Sequence, residues 1–349
     1  MKVFLKKKAD PGRLRGPGLR ETIGELLFGM RRPMDCIQVE VTSRCPGRCG
    51  YCPHTTLQDT WRAHDMDIKT FTRLWPLMRR AGRVHLQGWG EPLRNPIFFD
   101  MAALARKAGC AVSTTTCGLH MDADLARQLV ESGMDIAAFS LVGTDAATNA
   151  SRVGVDFTRV CEAIALLQAV RRDRMGVHLK LHFAYLLLAS QMEAVRGLPE
   201  LMARLGVHAA VISTLDYTPT PGLETEAFNP RDTAKLARAT DVLAETAAEA
   251  QHRGLGFHYE LPRHERPGAD CRENIARSLF VSADGSISPC VFLNVPSDRD
   301  SIARRVFGNV REQDPVAIWE SDRYRRFREE LACRGPDFPC RRCPKRFTG

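Results

Sequence analysis

The sequence predicts an α/β protein, a partial (β/α)6 TIM-like barrel followed by a small C-terminal domain made of a β-hairpin and a helix. Six apolar strand segments alternate with amphipathic helices from about residue 35 onward. This alternation favours parallel strands joined by crossover helices, and six units are too few to close an eight-stranded barrel. Beyond about residue 261 the alternation ends, and a hairpin signal and clustered cysteines take its place.

The predicted elements follow one another in a regular order. Segments rich in β-branched and aromatic residues predict strands at 36–41, 83–87, 111–116, 136–141, 177–187 and 207–214. Apolar residues at helical spacing predict helices at 68–80, 97–108, 123–132, 157–171, 192–205 and 230–253. In the C-terminal part, Ala283-Asp284-Gly285 predicts a hairpin turn, and residues 314–331 predict a helix with a break near Ser321. We therefore divide the chain into a basic N-terminal arm (1–34), the barrel (35–260) and the C-terminal domain (261–349).

The composition is that of a globular protein, because 44% of its 349 residues are hydrophobic and 26% are charged. The longest apolar stretch is too short to predict a transmembrane helix. The net charge of +9 is concentrated in the first 32 residues, where nine Lys and Arg stand against three acidic residues. We interpret this arm as a solvated segment. Nucleic-acid binding is not expected, because aromatic residues make up only 7% of the chain and no RNA-binding motif is present.

Twelve cysteines are many for a chain of this kind. The N-terminal arm lacks the pattern of a secretory signal, which predicts a cytoplasmic, reducing location. Reducing conditions disfavour disulfides, so the cysteines point to metal binding or catalysis.

The strongest chemical signal is a C-x3-C-x2-C motif directly after the first predicted strand, formed by Cys45, Cys49 and Cys52. Loops that follow the strands of a parallel barrel lie on the face that carries active sites. Three thiolates in one loop can hold a metal centre and leave one coordination position open, as a catalytic centre requires. A zinc site, or thiols without a metal, is the alternative interpretation.

A second motif, Gly88-Trp89-Gly90-Glu91-Pro92, follows the second predicted strand. Its glycines allow close approach of the backbone to a ligand, and Glu91 can accept hydrogen bonds from an ammonium group. With the cysteine motif, whose Tyr51 is the usual aromatic residue before the last cysteine, it resembles the radical SAM superfamily. The resemblance implies a [4Fe-4S] cluster that binds S-adenosylmethionine (SAM), and reductive cleavage of SAM to a 5′-deoxyadenosyl radical. It also assigns SAM contacts to Tyr51, Gly88, Gly90, Glu91 and Pro92.

Later positions carry the same resemblance less sharply. Ser140, at the end of the fourth strand, matches a residue that contacts the SAM ribose, and Arg152 matches one that pairs with the SAM carboxylate. Leu215 is a candidate for the adenine pocket. Cys117 stands where relatives often carry Asn, which puts the contact made by that amide in doubt.

The C-terminal cysteines resemble a SPASM domain, and more closely its shorter twitch form. That resemblance implies a second, auxiliary [4Fe-4S] cluster with four ligands, Cys271, Cys290, Cys340 and Cys343, which leaves Cys333 over. A structural zinc site is the alternative. Asp216 and Tyr217, after the last barrel strand, are candidates for a catalytic proton transfer.

Together these features predict an enzyme that oxidises a small-molecule or cofactor-pathway substrate, with the auxiliary cluster as electron acceptor and a flavodoxin or ferredoxin as donor. A SPASM-type peptide maturase is the alternative within the family. A non-catalytic iron–sulfur or zinc-binding protein is the alternative outside it.

Overall fold

The computed structural model describes residues 32–174, 176–218, 220–262, 271–296, 304–332, 340 and 343–347. Ten strands occur in these ranges: β1 (Met34–Val39), β2 (Ala81–Leu86), β3 (Ala111–Thr116), β4 (Ile136–Leu141), β5 (Lys180–Leu187), β6 (Ala209–Thr214), β7 (Gly256–Tyr259), β8 (Ser278–Val281), β9 (Ser286–Ser288) and β10 (Gly308–Asn309). They form one continuous sheet in the order β10-β9-β8-β1-β2-β3-β4-β5-β6-β7.

The α-helices are α1 (Pro53–Thr56), α2 (Ile68–Thr72), α3 (Trp75–Met78), α4 (Phe98–Lys107), α5 (Ala123–Glu131), α6 (Phe157–Arg172), α7 (Leu198–Leu205), α8 (Thr233–His252), α9 (Pro315–Glu320) and α10 (Asp322–Ala332). Short 3₁₀ helices lie at Pro92–Arg94, Ala189–Gly197, Leu223–Thr225, Phe292–Asn294 and Pro344–Arg346. None of the helices in the described part of the chain combines the length and the apolar character that a membrane crossing needs.

Strands β1 to β7 are parallel, each paired with the next along the chain. The predicted α/β partial barrel is therefore confirmed. Sequence patterning missed β7, because four residues are too few to give an alternating signal. The proposed division into domains at 34 and 260 stays a prediction.

The C-terminal hairpin extends the barrel sheet. Strand β8 pairs in parallel with β1, with Cys36 opposite Ser278 and Val39 opposite Val281. Strand β9 then returns antiparallel to β8, and β10 antiparallel to β9. The first strand of the barrel thus has a barrel strand on one side and a C-terminal strand on the other.

Prolines divide two of the predicted helices. The helix predicted at 68–80 is broken into α2 and α3, because Pro76 lies in the first turn of α3 and cannot continue the preceding hydrogen-bond ladder. Pro199 likewise begins α7 after a 3₁₀ segment in place of the single helix predicted at 192–205. The predicted break at Ser321 is confirmed between α9 and α10.

The two faces of the sheet differ in polarity. On β5, Phe183 and Tyr185 are fully buried on one face, whereas His182 and Ala184 are only half-buried on the other, which we call the lumen. On β2, the lumen residue His85 contacts Ser113 Oγ at 2.8 Å through Nδ1. Its Nε2 contacts Gln87 Oε1, also at 2.8 Å. The apolar core therefore lies between the outer face of the sheet and the helices. The inner face, which lines the lumen, is more polar.

Candidate active site

The loop after β1 brings the sulfur atoms of Cys45 and Cys49 close to Gly47. A Cβ atom added to Gly47 would lie 3.6 Å from Cys45 Sγ and 3.7 Å from Cys49 Sγ. The loop is fixed by Arg48 N, which donates to Val153 O at 2.7 Å, and by Cys52 N, which donates to Cys49 O at 3.0 Å. The motif predicted from the sequence is therefore one compact turn with its thiols grouped.

Burial controls the protonation of these thiols. It raises the pKa of Cys45 to about 11 and that of Cys52 to about 12. Cys49 contributes to the upward shift of both pKa values, whereas the nearby Arg152 opposes that of Cys45. Thiols of this kind keep their protons until a metal centre displaces them, so iron binding here releases protons.

Arg152 lies against the cysteine loop and is 6% exposed. Its Nη1 donates to the carbonyl oxygen of Ser140, so two residues predicted from the resemblance lie together. Burial lowers the pKa of Arg152, but its neighbours Tyr51, Cys49 and Cys117 raise it, and the net shift is upward. A buried guanidinium beside thiols supplies positive charge where an anionic centre would sit.

Three buried polar atoms in one short segment lack a hydrogen-bond partner among the described residues: Asn149 Nδ2, Ser151 Oγ and Arg152 Nε. Buried polar groups are normally paired, so these three atoms are available to a bound group. Two of the three are N–H donors, which suit a carboxylate such as that of SAM. The unpaired N–H donors of this segment therefore fit the carboxylate of SAM. Asn149 and Ser151 were not predicted, because nothing in the sequence shows that they are buried.

The Gly-Trp-Gly-Glu-Pro loop packs against the end of β1. A Cβ atom on Gly90 would lie 2.1 Å from the carbonyl oxygen of Thr42, and one on Gly88 would lie 2.3 Å from Glu40 Cγ. The close approach that the glycines permit is therefore to the chain itself. The approach to a ligand expected from the sequence stays a prediction.

The Glu91 carboxylate is 4% exposed and already engaged within the protein. Its Oε1 accepts from Thr116 Oγ1 at 2.6 Å, and its Oε2 accepts from Cys117 N at 2.6 Å. Glu91 thus joins the ends of β2 and β3 and begins the 3₁₀ turn that contains Pro92. Cys117, the residue that departs from the family pattern, makes its contact with Glu91 through the backbone N–H, which does not depend on its side chain.

A small apolar cluster lies beside the cysteine loop. It consists of Val142, Leu188 and Leu215, with Tyr51 packed against it. Leu215, predicted as an adenine contact, is 6% exposed. The cluster brings the ends of β4, β5 and β6 together with the cysteine loop.

The C-terminal cysteines converge from three segments. Burial raises the pKa of Cys340 to about 11 and shifts those of Cys271, Cys290 and Cys343 upward. The charge of Cys271 raises the pKa of each of the other three, which places all four in one neighbourhood. Cys333 lies outside the described residues.

A buried ion network borders this second group of thiols. Lys345 Nζ lies 3.1 Å from Asp216 Oδ2 and 2.8 Å from Glu273 Oε1. The side chains of Lys345 and Asp216 are only 10% and 4% exposed. Asp216 also accepts from Thr214 Oγ1 at 2.8 Å, and it raises the pKa of Cys343. The two candidates after β6 therefore differ: Asp216 is fixed beside the second thiol group, whereas Tyr217 is buried among core residues.

Within the described ranges, no three His, Cys, Asp or Glu side chains lie close enough together to hold a single ion. Of the cysteines assigned to neither group, Cys110 is buried, and Cys36 and Cys161 are half-buried.

Comparison with known proteins identifies both parts of the chain. The family model of the radical SAM superfamily matches residues 39–183, and that of the SPASM iron–sulfur cluster-binding domain matches residues 271–344. The chain is 28% identical over 312 residues to the tungsten-containing aldehyde ferredoxin oxidoreductase cofactor-modifying protein of Pyrococcus furiosus, covering 84% of this chain and 83% of that protein. It is 26% identical over 326 residues to the PqqA peptide cyclase of Gluconobacter oxydans, covering 90% and 83%.

The fold also matches a solved structure. Streptococcus suis SuiB bound to S-adenosylmethionine superposes with a TM-score of 0.65 at 17% identity, over 88% of this chain and 71% of SuiB. At that identity the likeness shows a shared fold.

Proposed function

The chain belongs to the radical SAM superfamily and carries a SPASM iron–sulfur domain, and from that premise we propose that it oxidises a cofactor-pathway substrate. The observation that carries this proposal is the presence of two separate groups of thiols, one after β1 and one beside the end of β6. The first group of thiols would hold the cluster that, with SAM, would supply a radical for hydrogen abstraction, and the second would hold an auxiliary cluster that would serve as the electron acceptor for the oxidation.

We assign the ligands of the first cluster to Cys45, Cys49 and Cys52. Those of the auxiliary cluster we assign to four cysteines, Cys271, Cys290, Cys340 and Cys343. The grouping of each set supports this assignment. Arg152 pairs with the SAM carboxylate, and its bond to the Ser140 carbonyl holds the guanidinium in place.

The remaining SAM contacts that we propose come from the two loops. The backbone of Gly88, Gly90 and Pro92 faces the amino group, and the buried Glu91 keeps this loop joined to β3. Leu215 and Tyr51 belong to the apolar cluster that excludes water from the adenosyl group.

Asp216 is our proposed acceptor of the substrate proton. Its contacts with Lys345 and Thr214 hold the carboxylate beside the auxiliary thiols, where an electron and a proton can leave the substrate together. Tyr217 is the second candidate.

The relatives favour two substrate classes. The Pyrococcus relative is named as a cofactor-modifying protein, which favours the cofactor-pathway substrate. The PqqA peptide cyclases favour a peptide instead, and a peptide maturase is the second candidate function. In either case we propose a flavodoxin or ferredoxin as the electron donor and a reducing, cytoplasmic location, since both clusters require reduced thiols.

Anaerobic reconstitution with iron and sulfide tests the proposal. Wild type should bind about eight irons and the Cys45/Cys49/Cys52→Ala variant about four, with a SAM-sensitive EPR signal only in wild type. Zinc in place of iron in both proteins would refute it. About four irons in wild type, all lost in the variant, would remove the electron-acceptor role of the C-terminal domain.

A further inference from the structure

One buried carboxylate joins the SAM loop to the C-terminal domain. Glu40 directly follows β1 and is 4% exposed. Its Oε1 accepts from the backbone N–H of Trp89 at 2.8 Å, and its Oε2 accepts from the backbone N–H of Ala283 at 3.2 Å. Trp89 belongs to the Gly-Trp-Gly-Glu-Pro loop, and Ala283 belongs to the turn between β8 and β9. The two oxygens of one side chain therefore bind two different parts of the enzyme.

The surroundings fix Glu40 in this position. Its own backbone N–H donates to Val281 O at 2.8 Å, which continues the pairing of β1 with β8. Gly88 leaves the space that the side chain occupies, because a Cβ atom there would lie 2.3 Å from Glu40 Cγ. The absence of a side chain at Gly88 therefore makes the space that the Glu40 side chain occupies.

Two further contacts lie along the same boundary. The Trp89 ring packs edge-to-face on Phe292, with their centroids 5.8 Å apart. Phe292 follows the auxiliary ligand Cys290 by two residues. Thr60 Oγ1, beyond the first cysteine loop, donates to Pro296 O at 3.2 Å. The SAM loop thus touches the segment that carries an auxiliary cysteine.

We propose that Glu40 is a positioning residue that couples SAM binding to the occupancy of the auxiliary cluster. The coupling rests on the assignment of Cys290 as a cluster ligand and of the Gly-Trp-Gly-Glu-Pro loop as a SAM contact. When the hairpin is held in place, Ala283 and Trp89 both donate to Glu40, and the loop keeps the conformation that binds SAM. When Cys290 has no cluster, the hairpin moves, Glu40 loses one donor, and the loop relaxes. Coupling of this kind is reciprocal, so SAM in turn stabilises the hairpin.

A double-mutant cycle measures this coupling through the dissociation constant of SAM. Four reconstituted proteins are compared by anaerobic equilibrium dialysis with labelled SAM: wild type, Glu40→Gln, Cys290→Ala and the double variant. Glutamine keeps one acceptor oxygen but points an NH₂ group at the other N–H donor, so it breaks the bridge at nearly constant volume. When Glu40 is present, we expect Cys290→Ala to raise the dissociation constant of SAM at least about fivefold. In the Glu40→Gln background, the same substitution should raise it by less than about twofold.

Gln38→Leu serves as the matched control. Gln38 lies on the same face of β1, and its side chain donates to Gln87 O on the β2 side at 3.2 Å. On this background the effect of Cys290→Ala should equal that in wild type. Equal effects of Cys290→Ala with and without Glu40→Gln would overturn the coupling, and so would no effect in wild type.

Hydrogen exchange on the wild-type holoenzyme gives a second test that needs no variant. Saturating SAM should slow amide exchange at Ala283 and its turn as well as at Trp89. Protection confined to the SAM loop would refute the coupling while leaving the proposed function intact. Failure of wild type to bind SAM at all would refute the proposed function instead.

Discussion

The two thiol groups are built in opposite ways. The first lies on one loop, between residues 45 and 52, and is held by Gly47, by the bond from Cys52 N to Cys49 O within the loop, and by one bond from Arg48 N to Val153 O outside it. The second gathers cysteines from segments that begin at residue 271 and end at residue 343, and a buried ion network borders it. A site on one loop depends on its own motif, whereas a distributed site depends on the contacts that hold distant segments together. Mutations outside the ligand set should therefore harm the second site more than the first.

The largest effect follows from removing one ligand of the distributed site. Cys290→Ala should lower the iron content from about eight toward about four, because the auxiliary cluster would lose one of its four ligands and, unlike the first cluster, has no SAM to fill the open position. SAM cleavage should continue, and oxidised product should not form. Iron counting and EPR measure the loss. Cys161→Ala on α6 is the matched control, and loss of iron there too would show that the protein is merely sensitive to cysteine removal.

Lys345→Met tests whether the ion network supports the second site. The substitution leaves Asp216 buried without its cation, and breaking a buried ion pair costs about 3–5 kcal/mol of unfolding free energy. Anaerobic urea unfolding measures the change. Lys345→Arg, which keeps the charge, should recover most of the stability. An unchanged unfolding midpoint in Lys345→Met would mean that the network is not needed to hold the C-terminal segment.

The stability of the protein should depend on pH through Glu40, which lies at the boundary between the two sites. Burial raises the pKa of this carboxyl from 4.5 to about 7, and Asp284 contributes to the increase. Because the folded state holds the proton more tightly than the unfolded state, the stability it provides is full below pH 4.5 and is lost as the pH rises toward 7. From pH 5.5 to 8, wild type should lose about 2 kcal/mol relative to Glu40→Gln. Parallel stability curves for the two proteins would contradict a raised pKa.

The smallest expected effect concerns the first site. Arg152→Lys keeps the charge but loses the planar fork that binds the Ser140 carbonyl and, we propose, the SAM carboxylate. The dissociation constant of SAM should rise about tenfold, the value of one charged hydrogen bond. Equilibrium dialysis measures it, with Arg159→Lys on the exposed part of α6 as control. An unchanged constant for Arg152→Lys would remove Arg152 from the SAM site.

The sequence predicts those features that are determined by residues close together in the chain. The strands β1 to β6 and the cysteine motif were predicted because alternating apolar residues and a fixed ligand spacing are visible within a few residues. Cys290, Cys340 and Cys343 were predicted through a resemblance. The ion pair between Lys345 and Asp216 was not, because it joins residues 129 positions apart and each residue alone reads as an ordinary surface charge.

The glycines of the Gly-Trp-Gly-Glu-Pro loop show a second limit. The sequence indicates that small residues are needed there, but it does not show what approaches them. The structure places Glu40 against Gly88 and the Thr42 carbonyl against Gly90. Neither contact leaves a trace in the motif, since β1 lies nearly 50 residues earlier. A much larger separation, 242 residues between Cys36 and Ser278, hid the parallel pairing of β8 with β1.

That pairing limits how the enzyme can be re-engineered. Because β8 shares backbone hydrogen bonds with the first barrel strand, the C-terminal region is not an interchangeable cassette that begins at a linker. A chimera that takes its tail from another enzyme would have to match the register of β1 and carry a donor opposite Glu40. The natural grafting unit is thus the strand pair with its turn, and substrate range is best altered at residues outside it.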